Sequence, residues 1–435
     1  VVDVFGVKRG HGQLNKIQSK TFCMHPFTGL ATREDGAIQV CCRSHPIGFI
    51  QDATLEHHWN GETMTRIRRQ VLQGERPSEC EPCFRLEDQG VESLRQRHIA
   101  GKIPEARINL YPDALDKMQD GYTMPFEIPT MELKLNNLCN LKCRMCHPGD
   151  STSWNDWSVV KDYYKEKGRV IFDLVETHNL EKKPLLDKFE NNEQWWASLE
   201  KNLPYFRRVE FAGGEPLMDP QHYRILDMLK PYGHQIEIKY ATNGTTLGIS
   251  KGRTIHDYWP HFRSVAVNVS IDGIGDVYNY IRGNADWNQV VDNVKEIQKI
   301  PNVSRVVGAV AVQVSNVMQL DKMIEYFLND LGIIFYTNMV SYPDVLCIQV
   351  LPEHLKEQAT INLNFAKMYL EDYKLIKEHP MLLDLTLKQI DGVINFMWAN
   401  DLSDKWQQCI NFNQALDATR NQYFFKVNSD YDDYE

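Results

Sequence analysis

Cys139, Cys143 and Cys146 lie within "NLCNLKCRMCHP", a C-x3-C-x2-C run in a chain that holds ten cysteines in 435 residues. A closed structural zinc site needs four ligands. His147 is the only adjacent candidate, and as the immediate neighbour of Cys146 it is awkwardly placed for the same metal. Three thiolates with one position left over suit an iron–sulfur cluster whose fourth iron binds something else. A second group, Cys23, Cys41, Cys42, Cys80 and Cys83, falls in the first hundred residues, and Cys347 and Cys409 stand alone. In a large chain without an export signal, such groups bind metal more often than they form a disulfide framework.

The elements that must position these thiols follow a strand–helix alternation from residue 131 onward. "MELKLNNL" (131–138), "RRVEFAGG" (207–214), "IEIKYATNG" (236–244), "SVAVNVSIDG" (264–273), "RVVGAVAVQV" (305–314) and "IIFYTNMVS" (333–341) read as strands, with "QHYRILDMLKPY" and "WNQVVDNVKEIQKI" as helices between them. Short β-branched units of this kind predict parallel strands with right-handed crossover helices, closed or half-closed into a barrel. The three-cysteine run then sits directly after the first strand, where such folds carry their active sites. "GGEP" (Gly213, Gly214, Glu215, Pro216) ends the second strand, and its glycines allow a ligand close backbone approach. Thr242 and Asn243, then Ser270 and Asp272, place polar groups at the next strand exits, and Arg282 follows in "YIRGN". For Ser270 and Asp272, capping or turn formation is the alternative.

The long insertion at about 150–205 carries Trp154, Trp157, Trp195 and Trp196, expected in the core, with a substrate wall as the other reading. Met64, Ile67, Val71 and Leu72 predict a helix ended by Gly74, with Arg66, Arg68 and Arg69 on a solvated side. Four stretches result: 1–84 with the first cysteines; 85–130, a helix and a connection punctuated by Pro104, Pro112, Pro125 and Pro129; 131–345; and 346–435, helical with the acidic end "SDYDDYE". The net charge of −10 argues against general nucleic-acid binding. No apolar run reaches bilayer length. The opening "VVDVFGVKRGHGQLNK" lacks a secretory pattern, so a cytoplasmic location is expected.

Over about 131–345 the sequence resembles the radical S-adenosylmethionine (SAM) enzymes, on C-x3-C-x2-C and "GGEP". The resemblance implies an α/β fold, a partial (β/α)6 TIM-like barrel with a small N-terminal iron–sulfur module and a helical C-terminal extension. It implies that Cys139, Cys143 and Cys146 hold a [4Fe–4S] cluster that chelates SAM and cleaves it to a 5′-deoxyadenosyl radical. It further implies that Gly213 to Pro216 bind the SAM ammonium, that Thr242, Asn243, Ser270 and Asp272 meet its ribose and carboxylate, and that Arg282 pairs with the carboxylate. Met145 stands where relatives carry an aromatic residue near adenine, a departure a flexible thioether can fill.

Cys23, Gly36 with four residues between it and Cys41, and "CEPC" (Cys80, Cys83) resemble the SPASM and twitch modules. Those imply a second, auxiliary [4Fe–4S] cluster on Cys23, Cys41, Cys80 and Cys83. Here the module precedes the barrel, which leaves Cys41 and Cys42 in competition, and a four-cysteine zinc site stays open. His25, beside the first of these ligands, is read as supporting that ligand or as structural. Cys347 is a candidate hydrogen donor to a substrate radical, with a buried structural thiol as the other reading. The expected reaction abstracts hydrogen from a peptide or protein side chain. Alternatives are a small-molecule dehydrogenase, epimerase or isomerase acting on a sugar or nucleotide, and a zinc-stabilised binding protein. An external donor such as flavodoxin or ferredoxin would supply electrons.

Overall fold

The structure is a computed structural model and describes residues 19–88, 92–100, 106–373 and 380–434. The opening stretch behind the export reading, and Pro104, lie outside the described residues.

All six expected strands form: β4 (Thr130–Lys134), β5 (Arg208–Ala212), β6 (Glu237–Thr242), β9 (Ser264–Ser270), β10 (Val303–Val312) and β11 (Ile334–Met339). They pair in parallel, each with the next. Preceding them are β1 (Gly29–Thr32), β2 (Ala37–Gln39) and β3 (Pro46–Phe49); β7 (Gly248–Ser250) and β8 (Arg253–Thr254) form a separate ribbon. The main sheet has nine strands in the order β11-β10-β9-β6-β5-β4-β1-β2-β3, so it is open and not a closed barrel. The N-terminal hairpin does not stand as its own sheet. β1 pairs in parallel with β4, Leu30 opposite Met131, and extends the edge beside the three-cysteine loop.

Crossover helices cover one face. Pro220–Leu229 starts with Asp219 accepting from the Gln221 amide, and Trp287–Ile297 with Asp286 accepting from Asn288 and Gln289. Their apolar residues share one buried core with Met131, Leu133, Val209, Phe211, Ile238, Tyr240, Val265 and Val267. Strand alternation sends Glu132, Lys134, Glu210, Lys239 and Asn268 to the opposite face, half-buried. Parallel sheets normally bury apolar residues on both faces. Here one face is charged.

The tryptophans of the insertion are buried, as expected for core residues. The helix Glu62–Gln73 buries Met64, Ile67 and Val71 and ends at Gly74 with φ +86°. Arg68 corrects the expected solvated side: it is wholly buried. Its guanidinium lies over Trp59 and donates to the Pro26 and Tyr122 carbonyls and to Asn60 Oδ1. Arg66 pairs with Glu79, and only Arg69 is exposed. The C-terminal region is helical over Glu353–Asp372, Pro380–Ala399 and Trp406–Arg420. The acidic end is anchored, because Tyr431 is buried and its hydroxyl donates to the Val314 carbonyl.

Candidate active site

Parallel strands put all their C-terminal ends on one edge, and the residues singled out in the sequence gather there. After β4 the chain turns on Asn137, which donates to the Pro148 and Pro184 carbonyls and accepts from the Leu186 amide. The cysteine loop follows. Cys139 and Cys143 are buried and Cys146 is half-buried. Burial pushes the Cys139 thiol up to about 12. Cys146 hydrogen-bonds Cys143, lowering the Cys143 pKa and raising its own. His147 turns away toward Asp150 and the Gly149 amide, so it adds nothing to the trio.

Three separate segments fix this loop. Ser153 Oγ donates to the Cys139 carbonyl (2.8 Å), and the Trp154 indole to the Cys143 carbonyl (2.8 Å). The Lys142 and Arg144 amides donate to the Gly283 and Ile281 carbonyls. From the C-terminal helix, Arg420 donates to the Lys142 carbonyl at 2.8 Å. Arg144, fully buried, pairs with Asp417, donates to Asn413 and Gln422, and lies 3.5 Å from the Tyr280 ring centroid. The sequence reading missed Arg144, Arg420 and Asp417. No local pattern marks them, because the partners lie more than 260 residues away.

The glycine pair seats the second strand's exit on that loop. Gly213 has φ +117°, a left-handed region that favours glycine, and a Cβ on Gly214 would collide with the Leu138 carbonyl. Glu215 is buried, and its carboxylate accepts from the Leu217 amide (3.1 Å), Thr242 Oγ1 (2.7 Å) and the Asn243 amide (2.6 Å). Burial outweighs these bonds and pushes its pKa up to about 7. Asn243 reaches on to the cysteine loop, donating to Asn140 Oδ1 (3.0 Å) and lying 3.7 Å from Cys139 Sγ. Glu215, Thr242, Asn243 and Cys139 are thus one connected set. Pro216 opens the short helical turn Pro216–Met218.

Asp272 is wholly buried; Oδ1 accepts from the Ala311 amide (2.7 Å) and Oδ2 from Arg282 Nε (2.6 Å). Burial raises the Asp272 pKa. Arg282 Nη1 lies 3.7 Å from Cys143 Sγ. Ser270 ends β9, half-buried on the polar face, and Met145 packs beside Cys139 and Cys143. Cys347 is set apart: it is buried, and its thiol donates to Gln349, whose amide bonds Phe396 in the C-terminal helices.

The N-terminal cysteines form a second group. Gly36, φ +86°, makes the turn between β1 and β2 and so delivers Cys41. Cys23, Cys41, Cys80 and Cys83 lie close together: burial first, then charge from the neighbouring thiols of this group, lifts Cys23 to about 12 and Cys41 to about 11 and raises Cys80 as well. Cys42 is exposed and faces Glu132, Lys134 and Glu210 on the polar sheet face. His25 is buried edge-on to His98, and burial lowers its pKa well below normal. Among the described residues, no three His, Cys, Asp or Glu side chains converge on a position for a single metal ion. Two sets of mutually facing thiols are the donor chemistry of iron–sulfur clusters.

On the polar face Glu132 stands beside Glu210, and Glu210 beside Lys239. Lys239 Nζ lies 3.2 Å from Glu210. Burial works upward on Glu210, but Lys239, Arg208 and Arg107 together hold its carboxyl down to about 2.

Comparison with known proteins agrees with this donor chemistry. Residues 133–327 match the model of the radical SAM superfamily, and residues 23–84 that of SPASM, an iron–sulfur cluster-binding domain. No curated protein matches the chain. Among solved structures, one of TYW1 with a lysine–pyruvate adduct bound is 12% identical, over 54% of this chain and 70% of that one. Its TM-score is 0.28.

Proposed function

This chain belongs to the radical SAM superfamily and carries a SPASM-type module, and on that premise we propose that it abstracts hydrogen from a peptide or protein side chain held against the polar face of its sheet. The two domains imply a [4Fe–4S] cluster, SAM and an auxiliary iron–sulfur cluster, which sets aside the zinc readings. With SAM bound, the first cluster supplies a 5′-deoxyadenosyl radical by one-electron cleavage of the sulfonium.

The chain's own residues divide the remaining work. Cys139, Cys143 and Cys146 hold iron, on a loop braced by Trp154, Gly283 and Arg420. The observation that carries the proposal is this thiol trio at the strand-end edge, with Gly214 packed on the Leu138 carbonyl beside it. Gly213 to Pro216 offer backbone oxygens to the SAM ammonium. The Glu215 carboxylate is already occupied by Thr242 and two amides, so its part is to fix that turn. Ser270, Asp272 and Met145 complete the surround. Cys23, Cys41, Cys80 and Cys83 hold the auxiliary cluster, and the 1–84, 85–130, 131–345 and 346–435 division assigns it to the first stretch. Cys347, bonded to Gln349, fits the structural role better than hydrogen donation.

The paired cysteine groups favour a peptide or protein substrate. The charged floor of Glu132, Lys134, Glu210 and Lys239 favours a second reading, a small polar molecule such as a sugar or nucleotide. An external donor such as flavodoxin or ferredoxin supplies the electron. No helix among the described residues is long and apolar enough to cross a membrane. Reduced, reconstituted protein incubated with SAM should release 5′-deoxyadenosine; its absence under every reductant defeats the proposal. Deuterium passing from a labelled substrate into its methyl group would decide between the two substrate classes.

A further inference from the structure

Arg282 has both ends of its guanidinium committed within the protein. The side chain is 12% exposed. Nε donates to Asp272 Oδ2 at 2.6 Å, and Nη1 lies 3.7 Å from Cys143 Sγ. Asp272 cannot follow a moving partner: its other oxygen takes the Ala311 amide, and its carbonyl takes Asn316 Nδ2 at 2.9 Å. Arg282 is held from behind as well, because its amide donates to the Tyr278 carbonyl and the Ala285 amide to its own. A buried carboxylate therefore aims a permanent cation at one of the three sulfurs.

We propose that Arg282 is a positioning residue for the cluster rather than a partner of the SAM carboxylate: oriented by Asp272, it donates an N–H···S bond to Cys143 and favours the reduced cluster. The inference rests on the reading of Cys143 as an iron ligand. Cluster potentials follow net charge, hydrogen bonds to sulfur and solvent exposure. Reduction adds one electron from the external donor and makes the cluster more negative. A fixed guanidinium stays charged at every working pH. Burial limits screening of its attraction for that electron.

The test is a redox titration followed by electron paramagnetic resonance on anaerobically reconstituted full chain, without SAM. Wild type is compared with Arg282→Gln and Arg282→Lys. A chain with Cys139, Cys143 and Cys146 all changed to Ala supplies the auxiliary-cluster spectrum for subtraction. At the potential where the wild-type cluster is half reduced, Arg282→Gln should lower its reduced-to-oxidised ratio about tenfold, ~59 mV for a one-electron couple. Arg282→Lys should lower it less, and the auxiliary cluster should not move. A Gln variant with full iron and an unchanged potential overturns the inference. If that variant loads no iron, the Lys variant decides: an unchanged potential overturns the inference and a lowered one supports it. A wild-type loop that takes no iron would remove the proposed function itself, a separate failure.

Discussion

Glu215 shows how one carboxyl links stability to the site. Burial raises it from 4.5 to about 7, so the folded chain holds that proton more tightly than the unfolded chain does. Stability from the protonated form is complete below pH 4.5 and is lost as pH rises through about 7. At about 1.4 kcal/mol per pH unit, this is worth roughly 3 kcal/mol. In cofactor-free protein, the urea stability of wild type minus that of Glu215→Gln should fall by about that much between pH 4.5 and 8.5. A flat difference would mean that Glu215 is ionised throughout. "GGEP" advertised a ligand turn in the sequence, but not that its carboxylate would be spent on Thr242 and Asn243. Those partners arrive from another strand, and spacing along the chain cannot supply them.

At the scale of elements, the site is a junction of strand exits held at backbone distance. Gly214 is where two of them touch. Gly214→Ala would drive a methyl group into the Leu138 carbonyl and push the β5 exit away from the cysteine loop. The expected outcome is a marked loss of iron at the Cys139 loop after anaerobic reconstitution, with the auxiliary cluster retained. Iron and sulfide analysis of the variant would check it, and full loading of both clusters would contradict it. The strands were legible because each is a short β-branched run that buries one face under helices. "VEFA" shows this alternation, with Val209 and Phe211 inward and Glu210 outward. Arg68 was misread for the reverse reason. A charged residue on a helix is normally solvated, and its burial depends on Trp59, Asn60 and Tyr122 arriving around it.

Across the whole molecule, the two cysteine groups lie on one continuous sheet, joined where β1 pairs with β4. The sequence separated them into modules because more than forty residues divide Cys83 from Cys139. A parallel pairing between strands a hundred residues apart leaves no mark in local pattern. The same pairing brings Cys42 toward Glu132 while Cys41 faces the other thiols. Cys41→Ser should therefore cost the chain about half its iron, one cluster of two, whereas Cys42→Ser should leave iron content unchanged. Equal losses in both variants would contradict this division. The C-terminal helices were expected as an extension, yet they reach back to the Cys139–Cys146 loop. Arg420 and the Arg144–Asp417 pair place the helix Trp406–Arg420 against Lys142 and Arg144.

The most direct test of the central claim is the paramagnetic resonance spectrum of the reduced Cys139 cluster before and after SAM is added, in a chain whose auxiliary cluster has been removed by changing Cys23, Cys41, Cys80 and Cys83 to Ala. One [4Fe–4S] signal is expected, with g-values that shift on addition, because three cysteines leave one iron open to an outside ligand. A loop without iron, or a signal that SAM leaves unchanged, would contradict it.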